Sequence, residues 1–466
     1  MKDLTNGKPL KLILAFALPI LLGNVFQQVY SLTDTIIIGK KLGNSAIAAV
    51  GSTASVVSLM FSLINGLVTG FAIIVSKNFG AGRHDEMRRT IARMLTFASA
   101  TTALIICATT IFIEPLLTAL NTPTEIFGQA RDYLFVVALG LVVTLLYNFE
   151  AAILRAVGDS VIPLIILIIS TALNILLDLL LVCVFEMGVL GAALATVAAQ
   201  LMSAVVCMIY LVKRRPFLLI KKEDFKFTKE STAELLGAGF GMALMYSIVD
   251  MGSIVLQNGI NGFGEDIITA HTAARKIFGL LIMPFSSISA TLVTFCSQNR
   301  GAGKYSRIKI GIRDGLILAF SWATITLGLV FFAGDFLVGM LVSSEEAKSA
   351  EIIATAVLYL KWSVPFYYPL AALLSLRSSL QGLGKSAVPI LCSIIELSWK
   401  IVTVLVMIPL FGGHTGTVGD TVEQVGGYFG VIISEPIIWT TCAVLIIIIT
   451  IFALRRLPKE DEKQTG

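Results

Sequence analysis

The chain has 466 residues, of which 56% are hydrophobic and only 14% charged, and its mean hydropathy is +0.87. Soluble proteins carry about 25% charged residues, so this composition excludes a soluble enzyme and a nucleic-acid-binding protein and indicates a polytopic membrane protein. The formal net charge is a modest +5. The six cysteines lie in apolar stretches without C-x-x-C spacing and the three histidines are scattered, so neither a disulfide framework nor a metal site is predicted.

Twelve apolar segments are long enough to cross a bilayer, which takes about 20 residues. The loops between them are short, so the helices should pack as bundles without a large soluble domain. The first segment is too long for a signal peptide and has no cleavage site. The segments are 10–38, 46–76, 90–113, 127–151, 161–184, 188–212, 233–259, 267–297, 311–333, 352–380, 386–411 and 428–454.

Polar residues form one stripe along the first segment. Asn24, Gln27, Tyr30 and Asp34 follow each other at helical spacing, which places them on one face. An aspartate at membrane depth costs about 2.5–3.5 kcal/mol on insertion scales, so the stripe should face a bundle interior or a wet cavity. The first three residues of the stripe are therefore predicted to contact substrate. Pro19 removes a backbone donor from the same segment and predicts a bend.

Segments five and six carry a second group of polar residues. Asn174 and Asp178 are four residues apart and share a helix face, with Thr171 one turn below. Segment six brings Thr196 and Gln200, which are also four apart. This arrangement predicts a polar surface on each helix that faces away from lipid.

Asp34 and Asp178 are expected to be the only acids deep inside the first six segments. If they meet, two like charges in a low dielectric are costly, which predicts a shared, exchangeable proton or a bound sodium. The alternative is a structural polar network that locks helices one, five and six. Two acids without a nearby Lys or Arg stabilise a bundle poorly, so the functional interpretation is favoured.

The second half carries both acids and bases. Glu396 and Lys400 are four residues apart and can neutralise each other on one helix. A structural ion-pair network is therefore the favoured interpretation, with Asp250 and Glu435 as the members expected to face a cavity. Segment ten also carries Lys361 and Arg377.

The Lys and Arg residues predict the orientation. They concentrate in the loops after segments two, six and eight and in the C-terminal tail, whereas the alternate loops are rich in acids such as Glu345, Glu346 and Asp420. By the positive-inside rule, both termini are cytoplasmic and the chain is a multi-pass protein of the plasma membrane.

The chain repeats itself. Residues 76–83, SKNFGAGR, match 297–304, SQNRGAGK, and residues 155–163 match 381–389 in the same way. Each half holds six segments, so the halves have the same orientation and should be related by a pseudo-two-fold axis along the membrane normal. The predicted domains are an N-terminal bundle 1–212, a cytoplasmic linker 213–231, a C-terminal bundle 232–455 and a tail 456–466.

Together, the twelve segments, the two halves, the repeated G-A-G loops and the N-x-x-x-D of segment five resemble the multidrug and toxic-compound extrusion (MATE) family. The resemblance covers roughly residues 8 to 455 and is nearest to the DinF-like prokaryotic branch. It implies a cation or proton-coupling site and a bending proline in segment one. A second-half site of the NorM-like type is disfavoured, because Ser247 or its neighbours and apolar residues near Leu370 lie where that branch has acids, but nearby Asp250 keeps it open. The implied site residues are Asp34, Asn174, Asp178 and Thr196, with Pro19 as the bending proline.

The family implies two bundles in a V shape around a central cavity that opens to either side in turn. The expected function is a secondary antiporter that exports amphiphilic, cationic drugs or metabolites in exchange for H⁺ or Na⁺. No other cofactor, no enzymatic activity and no nucleic-acid partner is expected, and a monomer suffices. Gly384, Lys385 and Ser386 resemble the end of a phosphate loop, but a required glycine and a preceding strand are missing, so nucleotide binding is not predicted.

The nearest alternative is a lipid-linked oligosaccharide flippase of the same superfamily, and a channel is a third possibility. Such a flippase should line its cavity with basic residues. The first-half membrane core is expected to hold no Lys or Arg, which argues against the flippase, although Lys361 and Lys400 in the second half keep it open. Repeated halves, Pro19 and a buried acid pair suit alternating access better than an open pore.

Overall fold

The computed structural model describes residues 3–342 and 348–458, apart from the side chain of Asn44. Within these ranges the chain is helical and contains no strand. Glu345 and Glu346, two acids on which the predicted orientation rests, lie outside the described residues, as does the tail beyond 458. The predicted all-α polytopic class is confirmed.

Eleven helical stretches of the described residues have the length and apolar character to cross a membrane. Several exceed 30 residues, which is more than a straight span requires. Five shorter helices complete the fold. The helices of these stretches are α1 (Pro9–Leu42), α2 (Asn44–Gly80), α3 (His84–Ile111), α5 (Thr124–Ala156), α6 (Val161–Asp178), α7 (Gly188–Arg214), α8 (Lys229–Ile260), α9 (Glu265–Gly301), α10 (Tyr305–Gly339), α13 (Ala387–Val402) and α16 (Tyr428–Arg455). The stretches of α6 and α13 reach spanning length because they continue to Val184 and Leu410. The short ones are α4 (Ile113–Ala119), α11 (Ser349–Ser363), α12 (Tyr367–Gly382), α14 (Ile408–Leu410) and α15 (Val422–Val425).

The twelfth crossing is a broken helix. The predicted segment 352–380 is divided between α11 and α12, which have 15 and 16 residues and are joined by a 3₁₀ turn at Val364–Phe366. Pro365 in this turn has no N–H, so the α-helical ladder cannot continue through it. Neither helix is long enough alone, but the pair supplies the twelfth crossing.

A π-helical segment occurs at the same place in each half. One, Leu179–Val184, follows α6 directly, and the other, Thr403–Met407, follows α13. π-Helical turns are rare and are frequent at functional sites. The internal repeat seen in the loop sequences therefore extends to an unusual backbone feature, and the first copy begins directly after Asp178.

The described residues group into two compact units. Unit 1 comprises 3–6, Leu18–Ser247 and Ser297–Gly303. Unit 2 comprises Gly7–Ala17, Ile248–Cys296 and the described part of the chain from Lys304 onward. The predicted sequence boundaries of the halves, and the axis relating them, stay predictions.

Small residues bring α2 and the first part of α8 into backbone contact within unit 1. A Cβ atom on Gly66 would lie 2.6 Å from the Cα of Ala243, and one on Gly70 would lie 2.3 Å from the carbonyl oxygen of Ala238. The G-x-x-x-G spacing places both glycines on one face of α2, which is a common way for membrane helices to pack closely.

The repeated G-A-G loops contact each other reciprocally in unit 1. A Cβ atom on Gly80 would lie 2.0 Å from the carbonyl oxygen of Gln298, and one on Gly301 would lie 1.9 Å from that of Lys77. Lys77 and Gln298 are themselves equivalent in the repeat. The first glycine of each loop is therefore required for close approach of two helix ends.

The last glycine of each loop has a different role. Gly82 and Gly303 have φ angles of 68° and 72°, a left-handed conformation that glycine adopts without steric cost. Buried Gln298 then ties this contact to other segments, since its amide donates to the carbonyl of Ala156 at 2.8 Å and its oxygen accepts from the N–H of Leu4 at 3.2 Å.

Candidate functional site

The structure brings the two predicted acids of the first half together. Asp34 lies half-buried on α1, and Asp178, the last residue of α6, is fully buried in unit 1. The two carboxyl groups interact electrostatically. Asn174, one turn before Asp178, is also fully buried. The helical spacing in the sequence thus placed these residues correctly on one face of α6.

This cluster holds an unusual number of buried polar atoms without a hydrogen-bond partner among the described residues. They are Oδ1 of Asp34, both carboxylate oxygens of Asp178, both side-chain polar atoms of Asn174 and Oγ1 of Thr171. Buried polar groups in proteins are nearly always paired, so each unpaired one requires an explanation. The cluster is rich in oxygen atoms and contains two carboxylates, a donor set that fits a proton or a hard cation such as sodium.

Tyr30 belongs to the acid cluster. Its hydroxyl donates to Oγ1 of Thr196 at 2.9 Å, and its electrostatic neighbours include both Asp34 and Asp178. Thr196 is therefore placed beside the acids through Tyr30. Gln200, one turn further along α7, instead accepts a hydrogen bond from Thr144 of α5.

An apolar cluster lies next to the acids and includes a tyrosine that the sequence did not single out. Tyr133 of α5 interacts electrostatically with Asp34 and Asp178 and packs against this cluster. Tyr133 directly follows Arg131 and Asp132 near the start of its segment, and no periodic signal identified it. The buried members of the cluster are Ile38, Ala46, Val182, Val189 and Ala192.

The other stripe residues line a cavity of about 110 Å³ between α1, α5 and α6. Pro19, Asn24 and Gln27 contribute from α1, as the stripe predicted. The polar residues that α5 and the following turn add to the lining are Tyr147, Asn148, Arg155 and Ser160.

Arg155 corrects one expectation. The predicted fourth segment ends at 151, which leaves the first-half core without Lys or Arg. Helix α5 continues to Ala156, which carries Arg155 into the lining of the cavity. The absence of basic residues, which argued against the lipid-linked oligosaccharide flippase, therefore does not hold for this cavity.

Glu150 corrects a second expectation, that Asp34 and Asp178 are the only acids deep in the first half. Glu150 of α5 is 2% exposed, and its Oε2 has no hydrogen-bond partner among the described residues. Its carboxylate contacts the thiol of Cys207 on α7. Glu150 is a single acid one residue before the predicted end of its segment, so no periodic signal identified it.

Unit 2 pairs its charges, as predicted for Glu396 and Lys400. Nζ of Lys400 lies 3.3 Å from Oε1 of Glu396, and the lysine side chain is 4% exposed. By the spacing that relates 155–163 to 381–389, these residues correspond to Ser170 and Asn174. The helix face that carries Asn174 in the first half therefore carries an ion pair in the second half.

Glu435 is buried and paired with Arg275, whose Nη1 lies 3.4 Å from Oε1 of the acid. The guanidinium also lies 4.7 Å from the ring centroid of Phe278. One turn earlier on α9, His271 shares a 2.9 Å hydrogen bond with the hydroxyl of Tyr428. No periodic pattern identified Arg275, because it falls within an apolar helix without an acid at helical spacing.

Asp250 lies on the part of α8 that belongs to unit 2 and is half-buried. On the same helix, Ser253 accepts a hydrogen bond from Lys400 at 3.5 Å. Asp250 therefore stays a candidate for facing a cavity.

The sequence model of the MatE family matches residues 19–180 and 240–417, well over half of the chain. The chain belongs to the MatE family. The match includes Asp34, Asn174 and Asp178 in the first half and Asp250 and the Glu396–Lys400 pair in the second. This MatE protein is accordingly a membrane transporter.

Curated relatives of this MatE protein cover most of its length. It is 27% identical over 372 residues to "Probable multidrug resistance protein YpnP" of Bacillus subtilis, covering 79% of this chain and 81% of the relative. It is 25% identical over 431 residues to "Probable multidrug resistance protein NorM" of Thermotoga maritima, covering 88% and 89%. A third relative, "Multidrug export protein MepA" of Staphylococcus aureus, is 22% identical and covers 72% and 74%.

Solved structures share the fold of this MatE protein. "Crystal structure of MATE in complex with MaL6" superposes with a TM-score of 0.86 at 21% identity, covering 98% of both chains. A structure titled "Outward-facing conformation of a multidrug resistance MATE family transporter of the MOP superfamily" has the same TM-score and identity, and covers 98% of this chain and 99% of the other.

Proposed function

We propose that this protein is a secondary active antiporter that exports amphiphilic, cationic drugs or metabolites in exchange for H⁺ or Na⁺. The observation that carries the proposal is the buried cluster of Asp34, Asp178 and Asn174, whose polar atoms lack partners among the described residues. Relatives named as multidrug resistance and multidrug export proteins support the same class of substrate.

The proposed coupling is electrostatic. A proton or sodium ion bound at Asp34 and Asp178, with neutral oxygens from Asn174 and Thr196, removes net negative charge from unit 1. This weakens the attraction for a cationic substrate, so ion and substrate favour different states of the carrier. Thermodynamic linkage requires this coupling to act in both directions, so the substrate also weakens ion binding.

Pro19 is the proposed bending point of α1. The helix runs through Pro19, which has no N–H to donate to the carbonyl four residues earlier. Pro19 also lines the cavity with Asn24 and Gln27. A bend at this point would change the volume of the cavity, which is how ion loading is proposed to expel the substrate in a cycle of alternating access.

We also propose a plasma-membrane location with both termini in the cytoplasm, acting as a monomer. The positive-inside pattern supports the orientation. A cysteine that replaces exposed Arg83 after α2 should react with an impermeant maleimide only in everted vesicles, whereas one that replaces exposed Glu125 at the start of α5 should react in intact cells. The reverse labelling pattern would overturn this orientation.

The function is tested by dye efflux. Cells that express the chain and are preloaded with rhodamine 6G, an amphiphilic cation, should lose the dye faster than control cells. An ionophore that collapses the coupling gradient, a protonophore for H⁺ or monensin for Na⁺, should abolish the difference. Efflux that neither ionophore affects would reject ion coupling, and the absence of efflux for a panel of amphiphilic cations would reject drug export.

The lipid-linked oligosaccharide flippase remains a second candidate because Arg155 lines the first-half cavity. A pyrophosphate carries several charges, whereas this lining supplies one guanidinium, and Lys400 in the second half is already paired with Glu396. The antiporter is therefore favoured. Faster translocation of a fluorescent polyprenyl pyrophosphate in proteoliposomes, without any dye export, would support the flippase instead.

A further inference from the structure

We propose that the cavity around Arg155 is a subsite for one singly charged oxyanion on the substrate, a carboxylate or a phosphodiester. The substrates that use it are zwitterionic amphiphiles rather than simple cations. The inference rests on the proposed export function and adds a chemical class of substrate to it. It concerns unit 1 alone, since α1 from Leu18 onward, α5 and α6 all belong to that unit.

The charge of Arg155 is not compensated by an ion pair among the described residues. The acid in the adjacent turn, Asp159, instead pairs with Arg215 at 3.1 Å and accepts from the hydroxyl of Tyr210 at 3.3 Å. The electrostatic neighbours of Arg155 include Tyr147, which is neutral at physiological pH. A partly buried cation without a counter-ion is costly, so an anionic ligand group would be favoured there.

The other polar groups of the cavity suit an oxyanion. Asn24, Gln27 and Asn148 can each donate from a side-chain amide, and Ser160, which is 5% exposed, can donate from its hydroxyl. Among the described residues no Asp or Glu lines the cavity. A guanidinium that presents paired N–H groups beside neutral donors binds a carboxylate or phosphate better than it binds a cation.

The size of the cavity limits what it can hold. Its volume of about 110 Å³ is well below the roughly 300–1,000 Å³ of pockets that enclose a drug-sized ligand. It therefore accommodates one polar group while the rest of the ligand lies outside it. Pro163, Leu164 and Leu167 of α6 form an apolar wall beside the polar groups, which fits an amphiphile.

The internal repeat indicates that folding of the turn does not require this arginine. The equivalent residue in the second half is Gln381, and the same backbone turn forms there. The N–H of Gly158 donates to the carbonyl of Arg155 at 3.0 Å, and that of Gly384 donates to the carbonyl of Gln381 at 2.8 Å. Glutamine is thus the substitution that this turn already accommodates.

The test compares two dyes that differ in one group. Rhodamine B carries a free carboxylate, and its ethyl ester does not. With the full chain in nanodiscs, Arg155→Gln should weaken binding of rhodamine B by about tenfold or more, because a charge-assisted bidentate contact is lost. Binding of the ester should change less than about twofold. The matched control Arg89→Gln removes an exposed arginine and should leave both affinities unchanged.

A second variant keeps the test decisive if Arg155→Gln does not fold. Asn148→Asp places an acid seven residues before Arg155, on the same face of α5. The new acid should pair with the arginine and so weaken the binding of rhodamine B. Displacement of rhodamine B from the wild type by phosphatidylglycerol would identify a lipid phosphodiester as the natural oxyanion, and displacement by soluble carboxylates alone would identify a free carboxylate.

The outcomes separate the subsite from the function. If Arg155→Gln loses affinity equally for both dyes, or loses none for rhodamine B, the subsite is overturned, whereas export of the ester by the wild type would still support the proposed function. If the wild type neither binds nor exports either dye, the proposed export function falls together with the subsite.

Discussion

Replacing Asp34 with asparagine is expected to abolish ion-driven export while the protein still reaches the membrane. Asparagine imitates the permanently protonated acid, so the site can no longer exchange an ion between the two states of the carrier. Asp178→Asn should have the same effect, because the two carboxyl groups interact. Rhodamine 6G efflux from preloaded cells, normalised to the amount of protein in the membrane, measures the loss.

The matched control is Asp85→Asn, which removes an exposed acid that is paired with Arg88 outside the membrane segments. Efflux by this variant should equal that of the wild type. If Asp34→Asn exports at the wild-type rate and remains sensitive to ionophores, the coupling acid lies elsewhere. Glu150, which is buried with an unpaired oxygen, and Asp250 would then be the next candidates.

Alanine at Gly80 or Gly301 is expected to destabilise the protein strongly. The new Cβ atom would lie about 2.0 Å or 1.9 Å from a backbone carbonyl oxygen, so two helix ends would have to separate. Overpacking a rigid contact costs about 1–3 kcal/mol, and a backbone partner leaves little room to relax. Both variants should therefore show a clearly lower melting temperature in detergent and less monodisperse protein on size exclusion.

Gly128→Ala provides the control for this prediction. Gly128 also lies inside a helix, but a Cβ atom there would meet no atom within 4 Å. Because alanine is the better helix former, this change should be neutral or slightly stabilising. Equal melting temperatures for Gly80→Ala, Gly301→Ala and Gly128→Ala would show that the loop contact contributes little.

Periodicity predicted most of the acid cluster. Asn174 and Asp178 share a face because they are four residues apart, and lipid excludes an acid such as Asp34 from the outer surface of a bundle. The sequence could therefore predict that Asp34 on α1 and Asn174 and Asp178 on α6 face the interior of a bundle. The hydrogen bond that joins Tyr30 to Thr196 depends on the crossing of α1 and α7, which no local pattern specifies.

Arg155 and Arg275 could not be predicted as site residues, because their positions depend on where a helix ends and on a long-range contact. Arg155 lines a cavity because α5 continues beyond the last strongly apolar residue of its segment, and hydropathy alone places such ends within a few residues. Arg275 and its partner Glu435 are far apart in sequence, so their pairing arises from the packing of α9 against α16.

The backbone irregularities differ in their sequence signal. Pro365 is a local signal for a break in the tenth segment, and the structure shows that break as a 3₁₀ turn between α11 and α12. The π-helical segments contain no proline or glycine, so their sequences read as ordinary helix. Their occurrence at the same place in both halves suggests that they accommodate the packing of the fifth helix of each repeat.

The most direct test of the central claim is export from proteoliposomes under separately imposed proton and sodium gradients. For the wild type, one of the two gradients should drive rhodamine 6G transport, and the other should not. Asp34→Asn and Asp178→Asn should each lose that gradient-driven component, whereas Asp85→Asn should retain it. Gradient-driven transport by either of the first two variants at the wild-type rate would contradict the assignment of the coupling site to this acid cluster.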